Sequence, residues 1–279
     1  MRSTVQQRDD ADTALTRARR EFKYLIPHSR LADLSNSIAR QLPVHAVSAW
    51  GDSSPPLSDQ AITTVYFDTS EHDLFRAADG TDRNVKLRVR AYDAVHPQMH
   101  AIADREGPGY DDLVWIELKR RDGEHTSKRR AAVPKSDLVA FLEHGTRSAE
   151  MDVIAREVAG TDDVFAELHA FTRDFGKALQ PACVVHYVRC AWQALDGSVR
   201  VTVDRDVTFY PPTSDPWRRQ DLTERSSLGR PAGAESSCVI EVKTRGEFPA
   251  WLTTALQACD ANRVDYSKFV SAMHAMHDR

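Results

Sequence analysis

In Val85-Lys86-Leu87-Arg88-Val89-Arg90 every second residue is a cation and every other one is aliphatic. Successive side chains of a β-strand point to opposite faces, so this run gives a strand with one apolar and one cationic face. Other runs repeat the pattern. Ile116-Glu117-Leu118-Lys119 puts Glu117 and Lys119 on one face, with Arg121 two residues on. Val199-Arg200-Val201-Thr202-Val203-Asp204 and Ile240-Glu241-Val242-Lys243 do the same. Near the start, Arg19, Glu21 and Lys23 share a face, as do Tyr187 and Arg189 further on.

An antiparallel sheet with one wetted face tolerates such alternation. Here, however, the polar faces are rich in Arg and Lys, with single carboxylates interleaved. Six of the eight lysines (Lys23, Lys86, Lys119, Lys128, Lys243, Lys268) fall in these runs or near the C-terminal end. An arrangement that uses both faces is a closed antiparallel β-barrel with a charged lumen. Helices would cover the aliphatic outer face, and closure would remove the sheet edges. Clustered cations in a narrow lumen repel one another strongly, so the lumen calls for a dense anion. A chain of phosphates fits, and the carboxylates could hold a divalent metal against it.

The rest of the chain is consistent with an α+β fold. Strands are expected at residues 21–26, 62–68, 85–92, 113–121, 126–133, 183–193, 199–209 and 238–243. The 113–121 and 126–133 runs form a hairpin at Asp122-Gly123, and Asp196-Gly197 joins two later strands. Helical spacing marks 29–42, with Ser29 as its cap, and also 136–143, 162–175, 249–259 and 266–277. Loops are expected at 51–60, 93–112 and 211–237. Asp79-Gly80 reads as a turn. Strands come in antiparallel runs with helices inserted between them, which argues for α+β rather than a parallel α/β sheet.

Composition narrows the function. The chain has 279 residues, 41% of them hydrophobic, enough for a sizeable core. The balance of 37 basic and 41 acidic residues gives a net charge of −4, which disfavours a generally basic nucleic-acid binder. No apolar run is long enough to span a membrane. The first 20 residues lack the apolar stretch of a secretory signal, so a cytoplasmic location is expected. The four cysteines show no C-x-x-C pair and read as ordinary thiols. Neither G-x-x-x-x-G-K-[ST] nor G-x-G-x-x-G is present. His274 and His277, and His96 and His100, read as solvated residues.

Taken in order, the charged strands resemble a known family. Glu21-Phe22-Lys23-Tyr24 resembles the E-x-K-Y opening of VTC domains, and Tyr66-Phe67-Asp68 their Y-F-D strand. Leu87-Arg88-Val89-Arg90 resembles an L-R-x-R strand, and Glu117-Leu118-Lys119 an E-x-K strand. Tyr187-Val188-Arg189, Arg200-Val201-Thr202-Val203-Asp204, Glu241-Val242-Lys243 and Tyr266-Ser267-Lys268-Phe269 follow in the family's order. The chain is thus similar, over roughly residues 19–275, to the polyphosphate polymerase module of the vacuolar transporter chaperone complex. That family belongs to the triphosphate tunnel metalloenzymes.

Residues 1–18 are polar with weak periodicity and read as a mobile arm, and the resemblance implies a single tunnel domain at 19–279. It implies transfer of the γ-phosphoryl group of ATP to a growing polyphosphate chain, assisted by Mn²⁺ or Mg²⁺. Lys23, Arg88, Arg90, Lys119, Arg189 and Arg200 would act on the reacting phosphates. Lys86, Lys128, Arg130, Lys243, Ser267 and Lys268 would bind phosphate, with the register of Lys128-Arg129-Arg130 open by one residue. Glu241 would hold the metal, helped by Glu21 and Glu117. Hydrolytic members open with E-x-E-x-K, whereas Arg19 stands here in place of the first carboxylate. That favours the polymerase over a tripolyphosphatase, a nucleoside triphosphatase or an adenylate cyclase. A non-catalytic polyphosphate binder is the alternative of a different class. Tripolyphosphate and pyrophosphate are further candidate ligands.

Overall fold

The structure is a computed structural model that describes residues 20–45, 59–92, 113–123, 125–157, 160–212 and 225–277. The arm at 1–18, Arg19, His96, His100 and most of the loops expected at 51–60 and 93–112 lie outside the described residues. The chain divides into two compact units, each assembled from three segments.

The first unit draws on Met1–Ala46, Val188–Asp206 and Glu235–Tyr266. Its strands are β1 (Arg20–Pro27), the later half of β6 (Gln180–Gln193), the first half of β7 (Val199–Tyr210), β9 (Ser237–Thr244) and β10 (Asn262–Arg263). They are ordered β10-β1-β9-β7-β6. The β1–β9 and β7–β9 pairs are antiparallel, with Phe22 opposite Val242 and Val201 opposite the same Val242. Period-two alternation therefore puts Ile26, Val201, Val203, Ile240 and Val242 on one face. Helices α1 (Leu31–Ala39) and α6 (Ala250–Ala258) cover that face with Leu34, Ile38, Leu252 and Leu256. Each aliphatic side chain fully buried there contributes roughly 1.5–3 kcal/mol of transfer free energy. Ser29 does not cap α1. It lies in a 3₁₀ turn, His28–Arg30, that leads into the helix without a side-chain cap.

The second unit draws on Val47–Tyr187, Val207–Ala234 and Ser267–Arg279. It holds β2 (Asp59–Asp68), β3 (Arg83–Tyr92), β4 (Leu113–Asp122), β5 (His125–Pro134), the first half of β6 and the end of β7 with the short β8 (Gly233–Ala234). Its main order is β6-β2-β3-β4-β5. The β4–β5 hairpin turns where the sequence places it. Gly123 takes a left-handed φ of 59°, which a glycine adopts without strain. The aliphatic face (Leu87, Val89, Val114, Ile116, Leu118, Ala131, Val133) is covered by α3 (Leu138–His144), α4 (Ala149–Glu157) and α5 (Thr161–Asp174).

Two helices of this unit were not expected. One is α4; the other is α2 (Asp73–Gly80), which occupies the Asp79-Gly80 turn signal. The start of α2 is capped from the preceding strand. The buried Asp68 carboxylate at the end of β2 accepts hydrogen bonds from the backbone N–H groups of Thr69 (2.7 Å), Leu74 (2.8 Å) and Phe75 (2.8 Å). These satisfy donors that the start of a short helix leaves open. The expected C-terminal helix is α7 (Lys268–His277).

The fold is thus antiparallel and sheet-rich α+β. Among the described residues neither unit's sheet closes on itself: β10 has only β1 as a strand neighbour, and β5 only β4. No described helix is long and apolar enough to cross a membrane. None of the four cysteines is in a disulfide.

Candidate functional site

In the second unit, strand register turns the alternation into rows. Arg88 on β3 lies opposite Glu117 on β4, and Glu117 opposite Arg130 on β5. One step along the same face, Lys86, Lys119 and Lys128 stand side by side across the three strands. Arg90 lies opposite Trp115 on the other side of the Arg88 row. The register settles the Lys128-Arg129-Arg130 run. Lys128 and Arg130 share the face of Lys119 and Glu117, whereas Arg129 points the other way and meets Glu167 at 3.3 Å. The start of α7 joins the cationic face: Lys86 Nζ donates to Ser267 Oγ at 2.9 Å, and Lys268 Nζ sits 4.8 Å from the ring centre of Tyr187.

Like charges directly opposite on neighbouring strands are destabilising. One carboxylate, Glu117, offsets part of that repulsion. It is fully buried. Its Oε2 accepts from Arg88 Nε at 2.7 Å and Nη2 at 2.6 Å, and lies 3.6 Å from Arg90 Nη1. Its Oε1 lies 3.6 Å from Lys128 Nζ. Burial alone would push this carboxyl up, but Arg88, Arg90 and Lys128 outweigh it and hold Glu117 well below the usual carboxylate range. Lys128 responds in the opposite sense. Burial lowers its ammonium most; Glu117 holds it up, and Arg130, Arg90 and Arg88 push it further down, to about 7. Arg130 stacks over Trp115, its Cζ 4.4 Å from the ring centre. The buried Nε of Arg90 has no hydrogen-bond partner.

The polar face of the first unit is built differently. Lys23 lies opposite Glu241, and Glu21 opposite Lys243, on β1 and β9. Glu241 and Lys243 face Thr202 and Arg200 on β7. Lys243 Nζ is 2.8 Å from Glu241 Oε1 and 3.6 Å from Glu21 Oε2. Glu241, and then Glu21, raise the Lys243 ammonium above its ordinary value against the effect of burial. Lys23 Nζ is 3.5 Å from Glu21 Oε1 and donates to the carbonyl of Tyr266 at 2.6 Å. Arg189 grips the fully buried Asp204 with both prongs, Nε to Oδ1 at 2.6 Å and Nη2 to Oδ2 at 2.8 Å.

The metal expectation can be tested on these donors. No group of three His, Cys, Asp or Glu side chains that could hold a metal exists among the described residues. Glu21 and Glu241 nevertheless converge on one cation, the Lys243 ammonium. A Mg²⁺-type ion is typically held by one or two carboxylates plus substrate phosphate oxygens and water. The pair therefore fits the protein's share of such a shell. Glu117 does not, because three cations already crowd it.

The VTC domain family model matches residues 18–277 of this chain, nearly its whole length. The chain belongs to the VTC domain family. No curated protein matches it. Among solved structures, a putative adenylyl cyclase from Hippeastrum, HpAC1, described as having a dominant triphosphatase activity, aligns at 17% identity with a TM-score of 0.48. That alignment covers 90% of this chain and 93% of the other. A chain of the Schizosaccharomyces pombe Mediator head module aligns at 12% identity with a TM-score of 0.38, covering 88% and 99%. Likenesses this distant carry no argument about the chemistry of this VTC domain.

The expected site residues thus fall into two groups. Lys86, Arg88, Arg90, Glu117, Lys119, Lys128, Arg130, Ser267 and Lys268 gather in the second unit. Glu21, Lys23, Arg189, Arg200, Glu241 and Lys243 gather in the first. Two carboxylates that sequence reasoning left without a role have one in this VTC domain. Asp68 caps α2, and Asp204 holds Arg189. Asp204 was visible on a charged strand face, but its partner lies on another strand and only the register reveals it.

Proposed function

We propose that this VTC domain is a metal-dependent polyphosphate polymerase that transfers the γ-phosphoryl group of ATP to the end of a growing polyphosphate chain. The observation that carries this reading is the row of three lysines, Lys86, Lys119 and Lys128, set beside Arg88, Arg90 and Arg130 with one carboxylate among them. A sheet face with that excess of cations is adapted to a ligand of dense negative charge, and consecutive phosphates supply one. Family membership supports the same substrate class.

Phosphoryl transfer needs little covalent help. Positioning and charge neutralisation lower most of the barrier. In this reading Arg88 and Arg90 clamp non-bridging oxygens of the transferring group, while Lys86, Lys119, Lys128, Ser267 and Lys268 carry neighbouring phosphates. Lys23, Arg189 and Arg200 do the same on the first unit's face. Glu241 and Glu21 hold the divalent ion, Mn²⁺ or Mg²⁺. When bound, that ion neutralises phosphate charge and favours departure of the nucleotide. The attacking oxygen belongs to a phosphate terminus that is already ionised, so no strong general base is required. The reading includes the closed tunnel that the family resemblance implies, a closure that the described hydrogen bonds do not make. It also includes a cytoplasmic setting, where ATP is at hand.

The test is incubation of the protein with ATP and Mn²⁺, followed by sizing of the product. Long-chain polymer is expected. Free phosphate released from tripolyphosphate or ATP, without polymer, would make the protein a triphosphatase. Tight polyphosphate binding without turnover would make it a binder.

A further inference from the structure

Two carboxylates on the charged faces are completely buried, and each holds the Nε/Nη2 edge of one arginine, Glu117 through Oε2 alone and Asp204 through both oxygens. Glu117 takes the Nε and Nη2 groups of Arg88, and Asp204 takes the Nε and Nη2 groups of Arg189. A guanidinium presents donors in a fixed planar fork. Engaging its Nε/Nη2 edge fixes the plane and the direction in which the remaining N–H groups point. Neither carboxylate resembles a metal ligand. Glu117 has Arg88, Arg90 and Lys128 around it, and a divalent ion would add charge where three cations already sit. Asp204 has both oxygens committed to one guanidinium. The carboxylates that converge on one lysine ammonium are Glu21 and Glu241.

We propose that Glu117 and Asp204 are positioning residues, buried counter-ions that aim Arg88 and Arg189 at phosphate oxygens, and that neither binds the metal. This rests on the phosphate-transfer reading above and assigns the acidic residues within it. Glu117 lies in the E-x-K strand and Asp204 ends the charged run of β7, so each sits one strand away from the arginine it aims. The arrangement separates two demands on an arginine clamp. The guanidinium must be rigid when the phosphate arrives, and the site must keep its excess of positive charge. One carboxylate among the cations of the second unit's face meets both.

The decisive measurement is a double-mutant cycle on Glu117 and Arg88, read in Mn²⁺ affinity, tripolyphosphate affinity and turnover. Glu117→Gln is expected to leave Mn²⁺ affinity within about twofold, whereas Glu241→Gln weakens it at least tenfold. In Glu117→Gln, tripolyphosphate affinity is expected to stay within about threefold, because lost aim is offset by lost repulsion of the anion. Turnover falls about 10²-fold, the scale of losing one pre-aimed electrostatic donor. Arg88→Met is expected to weaken tripolyphosphate binding about tenfold in the native background and less than twofold where residue 117 is Gln. Loss of Mn²⁺ binding in Glu117→Gln, unchanged turnover, or additive effects of the two substitutions would each overturn the proposal. If Glu117→Gln fails to fold, the Glu117→Gln/Arg88→Met pair removes both charges together. Its Mn²⁺ affinity then decides whether residue 117 is a ligand. A native chain that binds tripolyphosphate but makes no polymer would end the polymerase reading alone, because the binding cycle still judges this one.

Discussion

The two charged faces use the same residue types to opposite effect. On the first unit's face nearly every cation has a carboxylate: Lys23 and Lys243 meet Glu21, Lys243 meets Glu241, and Arg189 meets Asp204. On the second unit's face the strand register sets one carboxylate, Glu117, among Lys86, Arg88, Arg90, Lys119, Lys128 and Arg130. The first face is close to neutral without a ligand, and two of its carboxylates, Glu21 and Glu241, are of the kind that can be shared with a metal. The second sets more cations than carboxylates side by side across its strands, which suits the anionic ligand proposed above. The largest effect expected from this contrast is on stability. Arg88→Met leaves the buried Glu117 without its main partner and is expected to destabilise the fold by about 3–5 kcal/mol. Lys243→Met, in a cluster whose side chains are 19–36% exposed, is expected to cost under about 1 kcal/mol. Urea unfolding of both variants measures the difference, and equal losses would erase the distinction between the faces.

The next effect is on catalysis, and it runs the other way. Glu241→Gln and Lys23→Ala remove groups from the balanced face and are expected to leave the fold intact. Each should raise the barrier to phosphoryl transfer by about 2–4 kcal/mol. Turnover of ATP with Mn²⁺, followed together with the melting temperature, checks both halves of that statement. Near-full activity in either variant would show that the balanced face is scaffolding.

The contrast between the faces was only half legible in the sequence. Period-two alternation is a local property, and it correctly gave β3, β4, β7 and β9 their apolar and charged sides. Which charges stand beside which is not local. The Lys86–Lys119–Lys128 row depends on the β3–β4 and β4–β5 registers, and a one-residue slip would have put Arg129 there instead. Asp204 read as an interleaved acid and Glu117 as a metal helper, and it is their side-chain contacts that pair them with arginines on neighbouring strands. The helix α2 was missed because its start is stabilised by Asp68, which belongs to the preceding strand and supplies the cap from outside the segment. Ser29 failed as a cap because a 3₁₀ turn comes between it and α1. The charge pairings are set by contacts between strands, whereas the two helix starts are set by neighbouring residues outside the helix, which spacing within the helix does not record.

Ligand-linked stability tests the charge excess directly. At a tripolyphosphate concentration 100-fold above its dissociation constant, binding to the folded state adds about 2.7 kcal/mol. The native protein should therefore melt several degrees higher with the ligand present. Joint substitution of Lys86, Lys119 and Lys128 by Met is expected to remove most of that shift. It should change the melting temperature of the ligand-free protein little, because relief of the mutual repulsion offsets loss of the Lys128–Glu117 ion pair and the Lys86–Ser267 hydrogen bond. Differential scanning calorimetry with and without ligand separates the two outcomes. A ligand-free melting temperature lowered by as much as the ligand shift would mean that the lysines hold the sheet together, not that they await an anion.

The smallest expected effect is a pH dependence located at Lys128. Its ammonium is held down to about 7, whereas in the unfolded chain it titrates near 10.5. Between those values the unfolded chain binds the proton and the folded ligand-free protein does not. Folding stability from this group therefore rises as pH climbs from about 7 towards 10.5. The side chain keeps 42% of its surface exposed, so solvent screens the interaction and the slope is shallow. Anion binding has the opposite sign: it needs the charged amine, so tripolyphosphate affinity should fall as pH rises through 7. The ligand's own protonation also contributes over this range, and Lys128→Arg isolates the protein's part. A guanidinium stays charged throughout, so the variant's affinity should vary less with pH than the native protein's. Parallel pH profiles for the two would mean that Lys128 remains charged beside Glu117 over this range.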